Sequence, residues 1–369
     1  MKTIRTLIYG EVVRSVIFVT MGFLALFMFF DLVEEMKALG RYAQSGYRLE
    51  QALVYVGLMI PSHLYELLPI TVLIGTIFVM ARLAQSSEFT ILRTSGLGPW
   101  RALGTLLSLG LAFVALTFAL GDYVSPVADR TAQLLKARYQ GNISVGQTGA
   151  WLKERQAYSQ FATNVAQLTP DGGMRGIRVF EFDNQGYLLS TLYAAQGRFS
   201  DNDDAWLLQE VDRSDFSTRG KDTATIERTR LSNFRWPTQI SAEMVASALL
   251  KPERMSTLHL FQYMRHLEAN RQSAQRYEIE FWKKVFYPLS CLVMVVLALP
   301  FAYLHFRSGG ISGYVFGGVM AGISFFLLNN VFGYMGNLQN WMPWLTAALP
   351  GMLYSLMSLA AFGWLVLRR

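Results

Sequence analysis

Long apolar runs at both ends of the chain enclose a middle region in which apolar and polar residues alternate. A helix needs about 20 apolar residues to cross a hydrocarbon core of roughly 30 Å, because backbone groups find no water there and must pair internally. Six stretches meet that requirement. Residues 15–30 are uncharged and continue through Leu32 and Val33, while residues 51–81 carry one carboxylate, Glu66, and two prolines, Pro61 and Pro69, which predict a tilted or kinked span. Residues 102–121 form the third span and residues 285–306 the fourth, with His305 at its end. Residues 308–367 hold no charged side chain and are too long for one helix; Gly336-Asn337-Leu338-Gln339-Asn340 and Pro343 divide them into a fifth and a sixth span.

Between the third and fourth spans the period falls to two. Ile177-Arg178-Val179-Phe180-Glu181-Phe182, residues 187–193 and residues 205–211 alternate, and turn clusters at Asp183-Asn184-Gln185-Gly186 and Ser200-Asp201-Asn202-Asp203-Asp204 separate them. This spacing predicts an antiparallel β-sandwich or open barrel. From Ser256 the pattern becomes helical, with Leu258, Phe261, Met264 or Arg265, and Leu267 on one face and Ser256 as the cap. The expected fold class is therefore an α-helical membrane protein with six transmembrane helices and an inserted β-domain. Its divisions are residues 1–121 (three spans), 122–255 (β-domain), 256–284 (helical connector) and 285–369 (three spans).

Composition agrees: 52% of the residues are hydrophobic, 16% are charged, and the mean hydropathy is +0.26. Of 59 charged side chains, 40 fall in residues 122–284, so that segment is the water-soluble one. It holds 21 basic and 19 acidic residues, and the formal charge of +7 therefore indicates no basic groove for nucleic acid. A single cysteine, Cys291, excludes an intrachain disulfide and a thiolate zinc site.

Positive charge collects on cytoplasmic loops. With both termini inside, residues 1–14, 82–101, 307 and 368–369 carry nine basic residues against Glu11 and Glu88, whereas residues 31–50 carry three against four acidic ones. That orientation places residues 122–284 outside. The first span lacks a small-residue cleavage site and is expected to stay as an anchor.

No Gly-x-x-x-x-Gly-Lys-Ser/Thr loop occurs, so the chain is not expected to hydrolyse ATP alone. His63-x-x-Glu66 offers two metal ligands on one helical face, but no second histidine or acidic cluster has matching spacing, and an interfacial pair is expected, with no metal. His259 and His266 are expected to be solvated. Gly310-Ile311-Ser312-Gly313 has the form of an intramembrane serine protease nucleophile, yet no histidine follows His305, and His63 lies near the opposite membrane face. Asp31, Glu34, Glu35, Lys37, Lys136 and Arg138 at outer span ends are either interfacial anchors or a rim for an anionic lipid headgroup. Residues 82–99 predict a short helix capped by Ser86 or Ser87, with Glu88 in its first turn and Gly96 and Gly98-Pro99 ending it. Phe89, Ile91 and Leu92 supply an apolar surface beside Arg93, suited to a cytosolic partner or to lying in the headgroups.

Leu83-Ala84-Gln85-Ser86-Ser87-Glu88-Phe89-Thr90-Ile91-Leu92-Arg93-Thr94-Ser95-Gly96 resembles the coupling-helix signature, at about residues 84–97, of the LptF/LptG family, the permease subunits of the lipopolysaccharide-export ABC transporter. Trp282-Lys283-Lys284-Val285-Phe286-Tyr287-Pro288-Leu289-Ser290 and Gly322-Ile323-Ser324-Phe325 to Phe332-Gly333 are more similar to the LptG branch. The resemblance covers the whole chain and implies an outer β-jellyroll in the periplasm of an inner-membrane protein. It implies pairing with an LptF-like permease, an LptB-like ATPase dimer that binds the ATP and magnesium, and LptC and LptA-like bridge proteins, with no cofactor of the permease's own. Glu88, with Phe89, Ile91, Leu92 and Arg93, would engage the ATPase. Lys37, Lys136 and Arg138 would meet lipopolysaccharide phosphate, although Asp31 and Gln133 stand where basic residues can occur in the family. The first and fifth spans would form lateral gates. Phe23, Leu24, Phe27 and Met28 on the first, and Phe316, Met320, Ile323 and Leu327 on the fifth, recur at helical spacing, with Gly317, Gly318 and Gly322 allowing close approach. Phe180, Phe182, Leu188 and Leu192 would line an apolar groove in the jellyroll. Each CH₂ exposed to water costs about 0.8 kcal/mol, so a lipid exporter needs an apolar path. The alternatives are the protease and a non-transporting scaffold.

Overall fold

A computed structural model describes residues 2–42, 46–86, 88–96, 98–140, 149–169, 173–200, 205–218, 224–241, 244–245, 252–303 and 311–364. Six helices among them are long and apolar enough to cross a membrane. They belong to α1 (Lys2–Tyr42), α2 (Leu49–Gln85), α4 (Pro99–Ala119) with its extension, α7 (Gln275–Phe286) with α8 (Ser290–Ala298), α9 (Ile311–Leu338) and α10 (Pro343–Phe362); the short α3 (Glu88–Thr94) lies between α2 and α4. The chain forms two compact units. One comprises Met1–Lys37, Val56–Asp129 and Gln275–Arg369, the other Ala38–Tyr55 and Arg130–Ala274.

The helices outrun the apolar stretches. α1 has 41 residues, about 60 Å of helix, roughly twice the hydrocarbon thickness. The third span does not break at Asp122: a π-helical turn at Leu120–Val124 carries it into α5 (Ser125–Gln140). A π-turn loosens the regular ladder, and the Gly121 carbonyl there accepts a hydrogen bond from Lys284 Nζ of α7 at 2.9 Å. Gly121 has no room for a Cβ, which would run into the Tyr65 ring.

α1 and α2 pack antiparallel along their length. Arg82 pairs with Glu11 at 2.6 Å, a Cβ on Gly75 would stand 2.8 Å from the Val16 nitrogen, and the Thr20 hydroxyl donates to Thr71 Oγ1 at 2.9 Å. Asp31 meets His63 at 2.6 Å near the other end. Small residues permit close backbone approach, and such interhelical hydrogen bonds contribute about 0.6 kcal/mol each.

The second unit contains β1 (Ala150–Arg155), β2 (Ser159–Leu168), β3 (Met174–Asp183), β4 (Leu188–Ser200), β5 (Ala205–Thr218) and β6 (Ala224–Pro237), which form one antiparallel sheet in the order β1-β2-β3-β4-β5-β6. An inserted antiparallel β-domain is thus present, its described strands running up and down in sequence order within one sheet. The Asp183 carboxylate accepts the Gln185 and Tyr187 N–H groups at 2.8 Å, closing the β3–β4 turn that the sequence marks.

One sheet yields a two-sided core because it is creased. Pairing lapses along a single line, Ala166, Gly176, Ala195, Glu210 and Ser232, with the register resuming unchanged on either side. Gly176 and Glu210 on that line have φ of +64° and +53°. The crease reverses the alternation, so Met174 and Ile177, and likewise Leu208 and Val211, three residues apart, are buried in one core. The curled sheet then closes. Glu154 on β1, 3% exposed, accepts the Thr238 hydroxyl and the Gln239 N–H (2.9 Å) just beyond β6, and Trp206 Nε1 donates to the Ile240 carbonyl at 2.6 Å.

α6 (Thr257–Ala269) begins as predicted, with Ser256 Oγ accepting the His259 N–H at 3.3 Å. Its buried face is Leu260, Tyr263 and Leu267, however, and Leu258 and Phe261 are exposed. Asn270, its C-cap, accepts the Arg155 N–H at 2.8 Å and so ties the helix end to edge strand β1.

Candidate functional site

α3 has seven residues, too few to be stable alone, and is held by docking. Phe89 is 3% exposed in the core of the helical unit, edge-on to the Tyr303 ring at 5.0 Å, and Leu92 packs against the same core. Glu88, Ile91 and Arg93 face outward, with the Arg93 guanidinium 5.1 Å from the Tyr303 ring centroid. Ser86 does not cap the helix: its hydroxyl bonds back to the Leu83 carbonyl at 3.4 Å, and Ser87 lies outside the described residues. Gly96, at φ +99°, donates to the Arg93 carbonyl and ends the helix as expected; Arg101 Nη1 covers its carbonyl at 3.2 Å.

The fifth span sorts its two faces sharply. Gly318 and Gly322 lie against α2, where added Cβ atoms would come within 2.7 Å of Ile77 and 2.9 Å of Ile70; Gly317 faces open space. Phe316 (64% exposed), Met320, Ile323 and Leu327 project from the uncovered face. On the first span the four predicted residues are less open, Leu24 being buried and Phe23, Phe27 and Met28 half-buried. Its exposed stripe is Phe18, Met21, Phe29, Val33 and Met36. An all-round apolar helix gives no periodic signal that could have identified this face.

At the span ends Lys37 is exposed, Glu35 is buried, and Lys136 lies 4.5 Å from the Tyr55 ring centroid; the Arg138 side chain lies outside the described residues. His63 is engaged by Asp31, a partnership across 32 positions that sequence spacing does not reveal. Among the described residues no group of three His, Cys, Asp or Glu could hold a metal. Ser312 is exposed at the start of α9, while Gly310 and His305 lie outside the described residues. His266, expected to be solvated, is half-buried; burial lowers its pKa, and the Glu154 charge works in the opposite sense.

The four jellyroll candidates do not share one groove. Leu192 pairs with Val179 and is buried in the core, whereas Phe180, on the other face, stacks on Trp151 at 6.0 Å. Phe182 and Leu188 are half-buried cross-strand partners. The Trp282-Lys283-Lys284 segment acts as a clasp. Lys283 pairs with Glu280 at 2.6 Å beside Gly333 of the fifth span, Lys284 reaches Gly121 of the third, and Gln275 of the same helix donates to the Gly336 and Trp341 carbonyls.

Six apolar spans, glycine-faced helix contacts, a docked seven-residue interhelical segment and an inserted β-domain define a multi-pass membrane protein of the permease class. Residues 7–367 match the model of the family described as lipopolysaccharide export system permease LptF/LptG, and the chain belongs to that family. It is 28% identical over 363 residues to the lipopolysaccharide export system permease protein LptG of Escherichia coli K12, covering 98% of this chain and 97% of that protein. Identity to the LptG protein of Haemophilus influenzae Rd is 26% with the same coverage. The chain is accordingly a transport subunit of an export system and not its ATPase.

Proposed function

We propose that this chain is the LptG-type half of an ABC exporter that draws lipopolysaccharide from the outer leaflet of the inner membrane and passes it through a periplasmic β-domain toward a bridge to the outer membrane. Both termini are cytoplasmic in this reading. An LptF-like permease completes the cavity, an LptB-like ATPase dimer binds ATP and magnesium and receives α3, and LptC and LptA-like proteins take the cargo onward. Glu88, Ile91 and Arg93 contact the ATPase, while Phe89 and Leu92 anchor the helix that presents them. Lys37, Lys136 and Arg138 meet headgroup phosphates. The uncovered faces of the first and fifth spans, with Phe23, Leu24, Phe27 and Met28 behind the first, form the gates, and Phe180, Phe182, Leu188 and Leu192 contact acyl chains in the β-domain.

The observation that carries the reading is the sorting of the fifth span into a packed glycine face and an uncovered face bearing Phe316, Met320, Ile323 and Leu327. Acyl chains at about 0.8 kcal/mol per CH₂ need such a surface. A photo-reactive amino acid at position 316, 327 or 37 in the assembled transporter is expected to crosslink to lipopolysaccharide and to lose the adduct as ATP drives transport. An export-competent complex that yields no lipid adduct from any of the three positions would overturn the gate assignment.

A further inference from the structure

Beside the crease, one row of cross-strand partners runs across five strands: Gln167, Arg175, Gln196, Gln209 and Asn233. Partners directly opposite share a face of a sheet, so this is a continuous ladder of four amides and one guanidinium. The next row on that face is Arg198, Leu207 and Arg235. These eight residues include three arginines and no carboxylate.

Arg175, Gln196, Arg198 and Gln209, with Thr169, line a cavity of about 310 Å³ floored by Gly197. A Cβ on Gly197 would point to the opposite face, 2.6 Å from Ile177 and 2.7 Å from Leu208 of the buried core, so only its backbone lines the cavity. The cavity is within the size range of small-ligand sites. Amide side chains donate to and accept from hydroxyl groups, guanidinium forks bind phosphate or carboxylate in two-point contacts, and the exposed Leu207 offers an apolar surface to a sugar ring.

We propose that this end of the β-domain binds an anionic, hydroxyl-rich saccharide, and that the sugar portion of lipopolysaccharide is held there while its acyl chains are carried elsewhere. This rests on the exporter reading. It gives the β-domain a second contact with the cargo, polar where the first is apolar.

The test uses the purified, full-length transporter complex. The probes are lipopolysaccharide oligosaccharide stripped of all acyl chains, the same oligosaccharide with its phosphates removed, and inorganic phosphate, each titrated calorimetrically. Wild type is expected to bind the phosphorylated oligosaccharide most tightly, and the R175Q/R198Q double variant to bind it at least tenfold more weakly and with a shallower salt dependence. Gln196→Ala is expected to weaken the phosphorylated and dephosphorylated oligosaccharides alike, by a few-fold. Unchanged binding in both variants, with β-domain hydrogen exchange as in wild type, overturns the proposal; so does inorganic phosphate binding as tightly as the oligosaccharide, which would mark a simple anion site. Lipopolysaccharide-stimulated ATP hydrolysis by the wild-type complex is read separately: its absence would count against the exporter reading, whereas its persistence with unaltered oligosaccharide binding by the variants removes only the saccharide site.

Discussion

Replacing Phe89 by alanine isolates what holds the interhelical segment in place. The ring is 3% exposed and packs on Tyr303, Leu83 and their neighbours, so the substitution removes a buried aromatic that costs about 3–5 kcal/mol to truncate. Seven residues of helix carry almost no stability of their own, and Leu92 remains as a weaker anchor. At 1.4 kcal/mol per tenfold, a loss of about 3 kcal/mol raises the undocked population roughly 100-fold. Hydrogen exchange of the Ser95 and Gly96 amides, which bond to Ile91 and Arg93, is expected to accelerate by about that factor in the permease without its ATPase. Ile91→Ala is the control: that side chain is 62% exposed, the change in local stability should stay within about 0.5 kcal/mol, and exchange should be unaltered while ATPase co-purification falls. Equal exchange in the Phe89→Ala variant and wild type would refute docking as the force that holds α3.

A leucine at Gly75 would push into the backbone of α1, not merely a flexible side chain, and is expected to cost about 1–3 kcal/mol; the thermal midpoint of the detergent-solubilised protein should drop, with Gly22→Ala, which meets nothing within 4 Å, as the neutral comparison. Glu154→Ala removes the acceptor of the Thr238 hydroxyl and Gln239 N–H, costs about 1–3 kcal/mol, and should speed exchange at Gln239 and Ile240 while leaving α3 untouched. His266 has a folded pKa below its ordinary value of about 6.5 because burial favours the neutral ring. Its contribution is therefore complete above pH 6.5 and is lost as pH falls through the lower, folded pKa, so β-domain protection should weaken on acidification more in wild type than in His266→Gln.

Residue order alone determined the number of spans, the inserted β-domain, the Ser256 cap, the Asp183 turn and the Gly96 stop, because each depends on a local property: apolar length, period two, or a particular backbone preference. The same locality explains the C-terminal end of α3 and its outward polar groups, which are written within fourteen residues. Tertiary structure decided the rest. Spans that are apolar on every side do not declare which face is packed, so the exposed stripe of α1 and the buried Leu24 emerged only with α2 beside it. Polar partners such as Asp31 with His63, and Lys284 with the Gly121 carbonyl, are separated by 32 and 163 positions. The crease puts Met174 with Ile177, and Leu208 with Val211, into one core, and a register shift between Glu181 and Phe182 pairs Phe182 with Leu188 but Val179 with Leu192, so Phe180 and Leu192 stand on opposite faces of the sheet. A hydrophobic pattern specifies how much surface must be buried and with what period, whereas the identity of the surface that buries it is a property of elements distant in sequence.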